Sequence, residues 1–341
     1  MKWWFLLPLA AAAGFFISYL SGYAVIPWMH KLKFGQTILD IGPRWHKNKQ
    51  GTPTMGGIMF MAGSIGAFIL ALITDKLSGG GILEEGVFNP SEMKIKLTGG
   101  ILMAVGYAIV GFADDYVKVV KKRNKGLTIM QKSLAQILII TAYLTTLYNA
   151  GFTYIQVPFY GTVKTGMFFW ILGVAVMYCT VNAANFTDGV DGLCGSVTLV
   201  MAISFTVIAI MRNMFGLSVL TAALAGSLAG YLIWNWNPSK IIMGDLGSHY
   251  LGGMVVAVSY TLDAPWLILM VGAVYVFEFV TDVMQIGYFR LTHGKRIFKM
   301  APIHHHFEMS GWSEKKIVYV FTSAGIIGGA AAVALVYLGL K

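Results

Sequence analysis

The sequence predicts an all-α integral membrane protein with ten transmembrane helices. Of its 341 residues, 57% are hydrophobic and only 12% are Asp, Glu, Lys or Arg, whereas soluble domains contain about 25% charged residues. A spanning helix needs about 20 consecutive, mostly apolar residues, and stretches that reach or approach this length recur along the whole chain. The same composition excludes a soluble fold and makes nucleic-acid binding a poor explanation of the net charge of +10.

The ten predicted spans follow one another with short connections. The first begins at the N-terminus and lacks a small-residue cleavage site after a short apolar core, so we interpret it as a retained helix rather than a signal peptide. The ninth contains two acids, Glu278 and Asp282, to which the sequence gives no role. We expect residues 1–341 to form a single domain. The predicted spans are 3–29, 54–74, 97–113, 133–163, 165–187, 192–211, 213–239, 246–262, 264–288 and 317–340.

The distribution of cations predicts the orientation of these spans. Ten spans leave both termini on one side, and most of the 25 Lys and Arg residues lie in the connections on the other side. The positive-inside rule therefore puts these connections in the cytoplasm and both termini outside. The cytoplasmic connections are 30–53, 118–128, 185–195, 237–247 and 290–316.

Two acids end the third predicted span, in the stretch GFADDYVKVVKKRNKG. Negative charge at a helix C-terminus opposes the helix dipole, and ionisable groups at membrane depth are costly and tend to be functional. Asp114 and Asp115 are therefore candidates for chemistry. The alternative is simple solvation of a helix end, with Lys118 as an ion-pair partner at helical spacing.

Two glycine-rich motifs carry further acids on the same side. In NFTDGVDGLCG, Asn185, Asp188 and Asp191 share a compact loop between two spans, and in MGDLGSHYLGG, Asp245 lies between two glycines. Glycines let a backbone approach a ligand closely and leave N–H groups free for phosphate oxygens. A tight turn without a ligand is the plainer alternative for each motif taken alone.

Clustered carboxylates beside many cations indicate phosphoryl transfer. Mg²⁺ prefers oxygen ligands and is held by one or two carboxylates together with substrate phosphates, while lysines neutralise the remaining phosphate charge. A site at the membrane surface lets one phosphate arrive from water and the other from lipid. A transporter would instead place polar groups near the bilayer midplane, where only Glu278 and Asp282 come close.

Two more cytoplasmic segments are candidates for phosphate contact. KNKQGTPTMGG (47–57) joins cations to a Thr-Pro-Thr turn, and APIHHHFEMSGW (301–312) carries three consecutive histidines. Neighbouring side chains point in different directions, so three histidines in a row rarely bind one metal together. They are better suited to hydrogen-bonding phosphate oxygens, unless the segment is only a structural loop.

GTPTMGG, ADDYVKVV followed by KGLT, NFTDGVDGL, MGDLGS and APIHHHFE occur here in this order. In this the chain resembles the bacterial phospho-N-acetylmuramoyl-pentapeptide-transferase family, within the polyprenyl-phosphate N-acetylhexosamine-1-phosphate transferase superfamily. The acidic motifs are shared across the superfamily, whereas GTPTMGG and HHHFE are specific to the muramoyl-pentapeptide branch. The resemblance covers nearly the whole chain.

The resemblance implies a fold, a reaction and partners. The family has ten transmembrane helices, forms homodimers and lies in the bacterial cytoplasmic membrane. It transfers phospho-MurNAc-pentapeptide from UDP-MurNAc-pentapeptide to undecaprenyl phosphate, giving lipid I and UMP, with Mg²⁺. The alternatives are a sister enzyme that uses UDP-N-acetylglucosamine and, from another class, a lipid flippase or transporter.

The resemblance also implies roles for individual residues. The catalytic and metal-binding set is Asp114, Asp115 and Asp245, with Asp245 as the first choice for a direct Mg²⁺ ligand and Asp114 as the candidate base for the lipid phosphate. We favour direct attack by the lipid phosphate over a covalent aspartyl intermediate, because a phosphate monoester is already an anionic nucleophile. The expected substrate contacts are Lys49, Thr54, Lys118, Lys125, Asn185, Asp188, Asp191, Asn235, Gly244, His304, His305 and His306.

Overall fold

The computed structural model describes residues 3–32, 51–85, 89–120 and 126–339, and within them the chain is mostly helical. A two-stranded hairpin interrupts the helices after α4. In chain order the elements are α1 Trp3–Lys31, α2 Gly57–Leu77, α3 Pro90–Val120, α4 Ile129–Asn149, β1 Tyr154–Val157, β2 Gly161–Lys164, α5 Phe168–Thr187, α6 Leu193–Met211, α7 Phe215–Asn235, α8 Gly244–Thr261, α9 Ile268–Val271, α10 Ala273–Leu291, α11 Ile303–Glu308 and α12 Glu314–Gly339.

The helices confirm the predicted class of multi-pass α-helical membrane protein. Among the described residues, seven helices are long and apolar enough to cross a bilayer, or eight if the bent pair α9–α10 counts as one span. Those seven are α1, α2, α3, α5, α6, α7 and α12. The remaining predicted spans overlap α4 and α8, which are 21 and 18 residues long.

The fourth predicted span, 133–163, is longer than the helix that forms there. Helix α4 ends at Asn149, and the apolar residues after it belong to the antiparallel hairpin, in which Tyr154 pairs with Lys164 and Val157 with Gly161. The hairpin docks on the loop after α8, because the Gln156 amide donates to the Asp263 carbonyl at 2.6 Å. The alternating residues 153–157 favour a small hairpin about as much as a plain loop, and the structure forms the hairpin within the predicted apolar span.

The ninth predicted span, 264–288, is broken. Pro265 begins a 3-10 turn that leads into α9, and the chain then bends by 86° before α10. Proline has no amide hydrogen to donate, so it is suited to starting such a segment and not to continuing a helix. The bend turns α10 toward the end of the molecule that carries α11.

Helix α8 lies at the centre of the bundle and packs most extensively against α3. The two helices are antiparallel, since Asp115 near the end of α3 accepts a hydrogen bond from Leu246 at the start of α8. A Cβ on Gly111 would lie 2.2 Å from the Asp245 carbonyl oxygen, so only glycine permits this approach. This close packing brings the predicted acids of α3 and α8 to one place.

Candidate active site

Three carboxylates meet where the end of α3 faces the start of α8. Asp114, Asp115 and Asp245 each offer an oxygen atom within 4.8 Å of the other two. Asp114 and Asp115 are buried, and Asp245 is partly buried. The geometry therefore brings together the three acids that the sequence predicts to form one wall of a site, although 130 residues separate Asp115 from Asp245.

Two lysines face the carboxylates. Lys118 Nζ lies 2.6 Å from Asp114 Oδ2, 3.7 Å from Asp115 Oδ1 and 3.2 Å from Asp245 Oδ2. Lys132 Nζ, from the first turn of α4, lies 2.8 Å from Asp245 Oδ2 and 3.3 Å from Asn185 Oδ1. Three carboxylates thus face two ammonium groups, which leaves negative charge in the cluster for a further cation.

Backbone amides fix the orientation of the two acids on α3. Leu127 N donates to Asp114 Oδ1 at 2.8 Å, and Leu246 N donates to Asp115 Oδ2 at 3.1 Å. Hydrogen bonds from amides to a carboxylate are charge-assisted and stronger than neutral ones. Each acid therefore keeps one orientation while its other oxygen atom faces the lysines.

Gly244 and Thr54 lie beside Asp115. Gly244 has φ +72°, which favours glycine, and a Cβ there would lie 2.5 Å from Asp115 Oδ2 and 2.7 Å from Thr54 Oγ1. The GTPTMGG segment reaches this position by pairing with the chain before α8: Ile242 N donates to Pro53 O, and Gly56 N donates to Ile242 O. Two motifs that are far apart in the sequence are thus joined by main-chain hydrogen bonds.

The Asn185–Gly192 turn joins the cluster from α5. Asn185 Nδ2 donates to Asp245 Oδ1 and to Ser248 Oγ, each at 3.0 Å. Asp188 caps the end of α5. The predicted contact residue Asn185 therefore lies directly against the acidic cluster.

Asp191 and Asn235 act chiefly as braces for this turn. Asp191 Oδ2 accepts hydrogen bonds from Asn237 Nδ2 and Ser239 N. Asn235, which is buried, accepts from Gly192 N and donates to the Ile241 carbonyl. They hold the connection between α7 and α8 against the turn, and their predicted contact with substrate stays a prediction.

The three histidines have three different partners. His304 Nδ1 lies 2.9 Å from Glu278 Oε2, and His305 Nδ1 lies 2.6 Å from Glu308 Oε2. His306 Nδ1 accepts a hydrogen bond from Lys299 N at 3.1 Å. Each of the three rings is therefore oriented by a different group.

Sequence reasoning missed some residues of the site, and two residues that it predicted lie outside the part of the chain that the structure describes. Lys132 was counted only as a cytoplasmic cation, Ser248 was not singled out, and Glu278 was given no role; each is revealed by a partner from another segment. Lys49 and Lys125, both predicted to contact substrate, lie outside the described residues.

The donor set fits Mg²⁺. The three clustered side chains offer carboxylate oxygens, the ligands that this hard cation prefers, and the two lysines do not balance their charge. Asp245 is the most exposed of the three, with both lysines on Oδ2 and Asn185 on Oδ1, and its role as the direct ligand stays a prediction.

Fold and site together define a polytopic membrane enzyme of the phospho-sugar transferase class. The model of glycosyl transferase family 4 matches residues 97–263, a range that contains all three acids. A second model, the phospho-N-acetylmuramoyl-pentapeptide-transferase signature 1, matches residues 49–61.

Relatives extend the match to the whole chain. Proteins called phospho-N-acetylmuramoyl-pentapeptide-transferase from Bacillus cytotoxicus and Bacillus thuringiensis are each 38% identical over 339 residues, covering 98% of both chains. A Bacillus cereus protein of the same name matches equally. The chain belongs to the phospho-N-acetylmuramoyl-pentapeptide-transferase family.

Proposed function

We propose that this protein transfers phospho-MurNAc-pentapeptide from UDP-MurNAc-pentapeptide to undecaprenyl phosphate, giving lipid I and UMP in the first membrane step of peptidoglycan synthesis. The observation that carries the proposal is the contact of Lys118 Nζ with all three aspartates, at 2.6, 3.7 and 3.2 Å. A cluster of carboxylates and ammonium groups suits phosphoryl transfer, in which catalysis depends mostly on positioning the reactants and stabilising charge.

Asp245, Asp114 and Asp115 would hold the Mg²⁺. When bound, the ion supplies charge neutralisation on the diphosphate and so favours departure of the nucleotide. Lys118 and Lys132 then have phosphate oxygens as partners besides the carboxylates, and Asn185 keeps Asp245 in its orientation through the 3.0 Å hydrogen bond to Oδ1.

We infer that the lipid phosphate attacks directly. Asp114 takes the proton from the lipid phosphate, whose oxygen forms a bond to the phosphorus that carries the sugar. The bond from that phosphorus to the bridging oxygen breaks, and UMP leaves with the electron pair. Incubation of the enzyme with labelled UDP-sugar in the absence of lipid is the test: a phospho-aspartyl adduct or UMP exchange would establish a two-step route instead.

An apolar cavity supports a polyprenyl substrate. It has a volume of about 420 Å³ and lies between α5 and the bent pair α9–α10. Leu172 and Leu269, which line it, are exposed on the outside of the bundle. Its lining extends along α5 from Phe169 to Ala183, toward the end of the helix that carries Asn185, a shape that suits part of an isoprenoid chain.

The proposal includes a topology and an assembly. Ten spans put both termini outside and the aspartates on the cytoplasmic face of a bacterial cytoplasmic membrane, within a single domain over residues 1–341. Cysteine labelling of intact and permeabilised cells tests the orientation. The protein is expected to be a homodimer, which mass measurement in detergent or nanodiscs tests.

The decisive experiment is UMP release by the purified protein from UDP-MurNAc-pentapeptide. We expect release to require both undecaprenyl phosphate and Mg²⁺. A preference for UDP-N-acetylglucosamine would favour the sister enzyme, and lipid movement across vesicles without UMP release would favour a transporter.

A further inference from the structure

Glu278 of α10 and His304 of α11 form a buried pair to which neither the sequence nor the proposed chemistry gives a role. Both side chains are 0% exposed, and Glu278 Oε2 lies 2.9 Å from His304 Nδ1. Glu278 comes from a helix that contributes none of the three aspartates. The pair therefore joins the bent α10 to the histidine motif.

The contact fixes which nitrogen of His304 carries the proton. A carboxylate only accepts hydrogen bonds, so Nδ1 must be the donor. Nε2 then points away from Glu278 toward the turn that follows Asn185. A Cβ built on Gly189 would lie 2.2 Å from Nε2, which puts this nitrogen directly against the Asp188–Gly189 backbone.

The pair is incompletely satisfied. Within the described residues, His304 Nε2 and Glu278 Oε1 are both buried and have no hydrogen-bond partner. Leaving buried polar groups unsatisfied is destabilising, and well-packed apolar side chains are often at least as stable as a buried charged pair. Stability alone does not account for such a pair beside the Asp188–Gly189 turn.

The neighbouring histidine has the same arrangement. His305 Nδ1 lies 2.6 Å from Glu308 Oε2, and the rings of His304 and His305 are 4.1 Å apart. Two carboxylates on different helices thus each engage the Nδ1 of one of two adjacent imidazoles. This repetition indicates that the orientation of the rings matters, and Glu278 sets it from outside the histidine motif.

We propose that Glu278 is a positioning residue for the transfer reaction, acting through His304. It holds the ring so that Nε2 faces the Asp188–Gly189 turn, where a hydroxyl or N–H donor of the sugar nucleotide becomes the missing partner of Nε2. This inference rests on the proposed function for the identity of the substrate.

A double-mutant cycle tests the proposal. Glu278→Gln removes the charge at nearly constant volume, and we expect kcat/KM to fall about 10–100-fold, the range typical of removing a carboxylate that orients a functional histidine. His304→Ala should cost at least as much. The double variant should be no worse than His304→Ala alone, because Glu278 acts only through that ring.

Asp282→Asn is the matched control, since it removes an acid one turn further along the same helix and is expected to leave kcat/KM unchanged. Losses that multiply in the double variant, or full turnover by Glu278→Gln, would overturn the proposal. Should Glu278→Gln fold poorly, Glu278→Asp in the same cycle serves instead, with an intermediate loss expected.

A second measurement is independent of turnover. Nitrogen NMR of histidine-labelled wild-type protein, with His304 assigned by its loss in His304→Ala, should report a proton on Nδ1 and a change in Glu278→Gln. A neutral ring protonated only on Nε2 would overturn the pairing. Absence of UMP release by wild type would instead overturn the proposed function, so the two failures are distinguishable.

Discussion

Two charged clusters join α3 to α8, one at each end of the helix pair, and they differ in how their charges are matched. At the inner end, three aspartates face Lys118 and Lys132, and the Lys118 side chain is 33% exposed. At the outer end, Lys96 pairs with Glu92 and Asp263 and is 2% exposed.

The outer cluster is closed. The Tyr154 hydroxyl donates to Glu92, and the rings of Phe152 and Tyr154 lie 4.7 and 4.9 Å from the Lys96 ammonium. Each charged group there has a partner, and Lys96 also has aromatic cover. Each cluster contains one more carboxylate than lysine, but only the inner cluster leaves a lysine accessible, so the comparison separates a structural ion pair from a site prepared for ligands.

Lys118→Met should have the largest effect on the inner cluster. Loss of one cation that faces the diphosphate is expected to lower kcat by about 10²–10³-fold, the scale of removing a preorganised electrostatic contact. UMP release measures this, and the thermal midpoint of the purified variant should stay close to that of wild type. A large fall in that midpoint with normal kcat would mean that Lys118 is structural.

Lys96→Met should give the opposite result at the outer cluster. Removing the buried ammonium leaves two partly buried carboxylates without their partner, and breaking a buried pair in this way typically costs about 3–5 kcal/mol. Unfolding in mild detergent measures the loss, while activity per folded molecule should be retained. Lys94→Met is the control, because its pair with Glu84 is exposed and such pairs are worth about 0–1 kcal/mol.

Gly244→Ala sharpens the comparison through backbone geometry. A left-handed conformation costs a non-glycine residue about 1–2 kcal/mol, and the new Cβ would also displace Asp115. We expect kcat/KM to fall about 10–100-fold, since small misplacements of reacting groups are costly.

Gly79→Ala is the matched control for Gly244→Ala. Its φ is +73° and nothing lies within 4 Å of the added Cβ. It should share the backbone cost and keep full activity. Equal loss of activity in both variants would contradict the role given to the Gly244–Asp115 contact.

The outer cluster should also produce a modest pH dependence of stability. Burial raises the pKa of Asp263 to about 6, against the opposing effect of Lys96. Because the folded pKa exceeds the unfolded value near 3.9, this stabilising contribution is complete below about pH 4 and is lost as pH rises through 6.

The free energy of unfolding should therefore decline by about 2 kcal/mol between pH 4 and 7 from this group. Asp263→Asn should remove that part of the slope. An unchanged slope in the variant would assign the pH dependence to other groups.

The contrast also explains what could be predicted from the sequence. Asp114, Asp115 and Asp245 could be predicted because an acidic residue at the end of an apolar span is unusual and is visible in the sequence alone. Lys132 and Glu278 were missed because their meaning depends on partners 113 and 26 residues away. Such contacts arise from helix packing, which no local pattern encodes.

The same limit applies to the helices. Composition predicted the membrane class and the approximate positions of the spans, yet the apolar stretch 133–163 includes the hairpin rather than one continuous helix, and 264–288 hid the bend before α10. The hairpin is held by a contact with the loop after α8, where Gln156 N donates to Asp263 O, and the bend lies between Val271 and Ala273. Hydrophobicity indicates that a segment is buried, but it does not indicate whether the segment is a helix, a strand or a bent pair of helices.

Mg²⁺-dependent UMP release by Asp245→Asn and Asp263→Asn, compared with wild type, tests the central claim most directly. Both substitutions neutralise a carboxylate at an end of α8. The account predicts that Asp245→Asn loses about 10³-fold in turnover while Asp263→Asn, assayed at saturating undecaprenyl phosphate, keeps the wild-type turnover and Mg²⁺ dependence. Full Mg²⁺-dependent turnover by Asp245→Asn would contradict the assignment of the inner cluster as the transfer site.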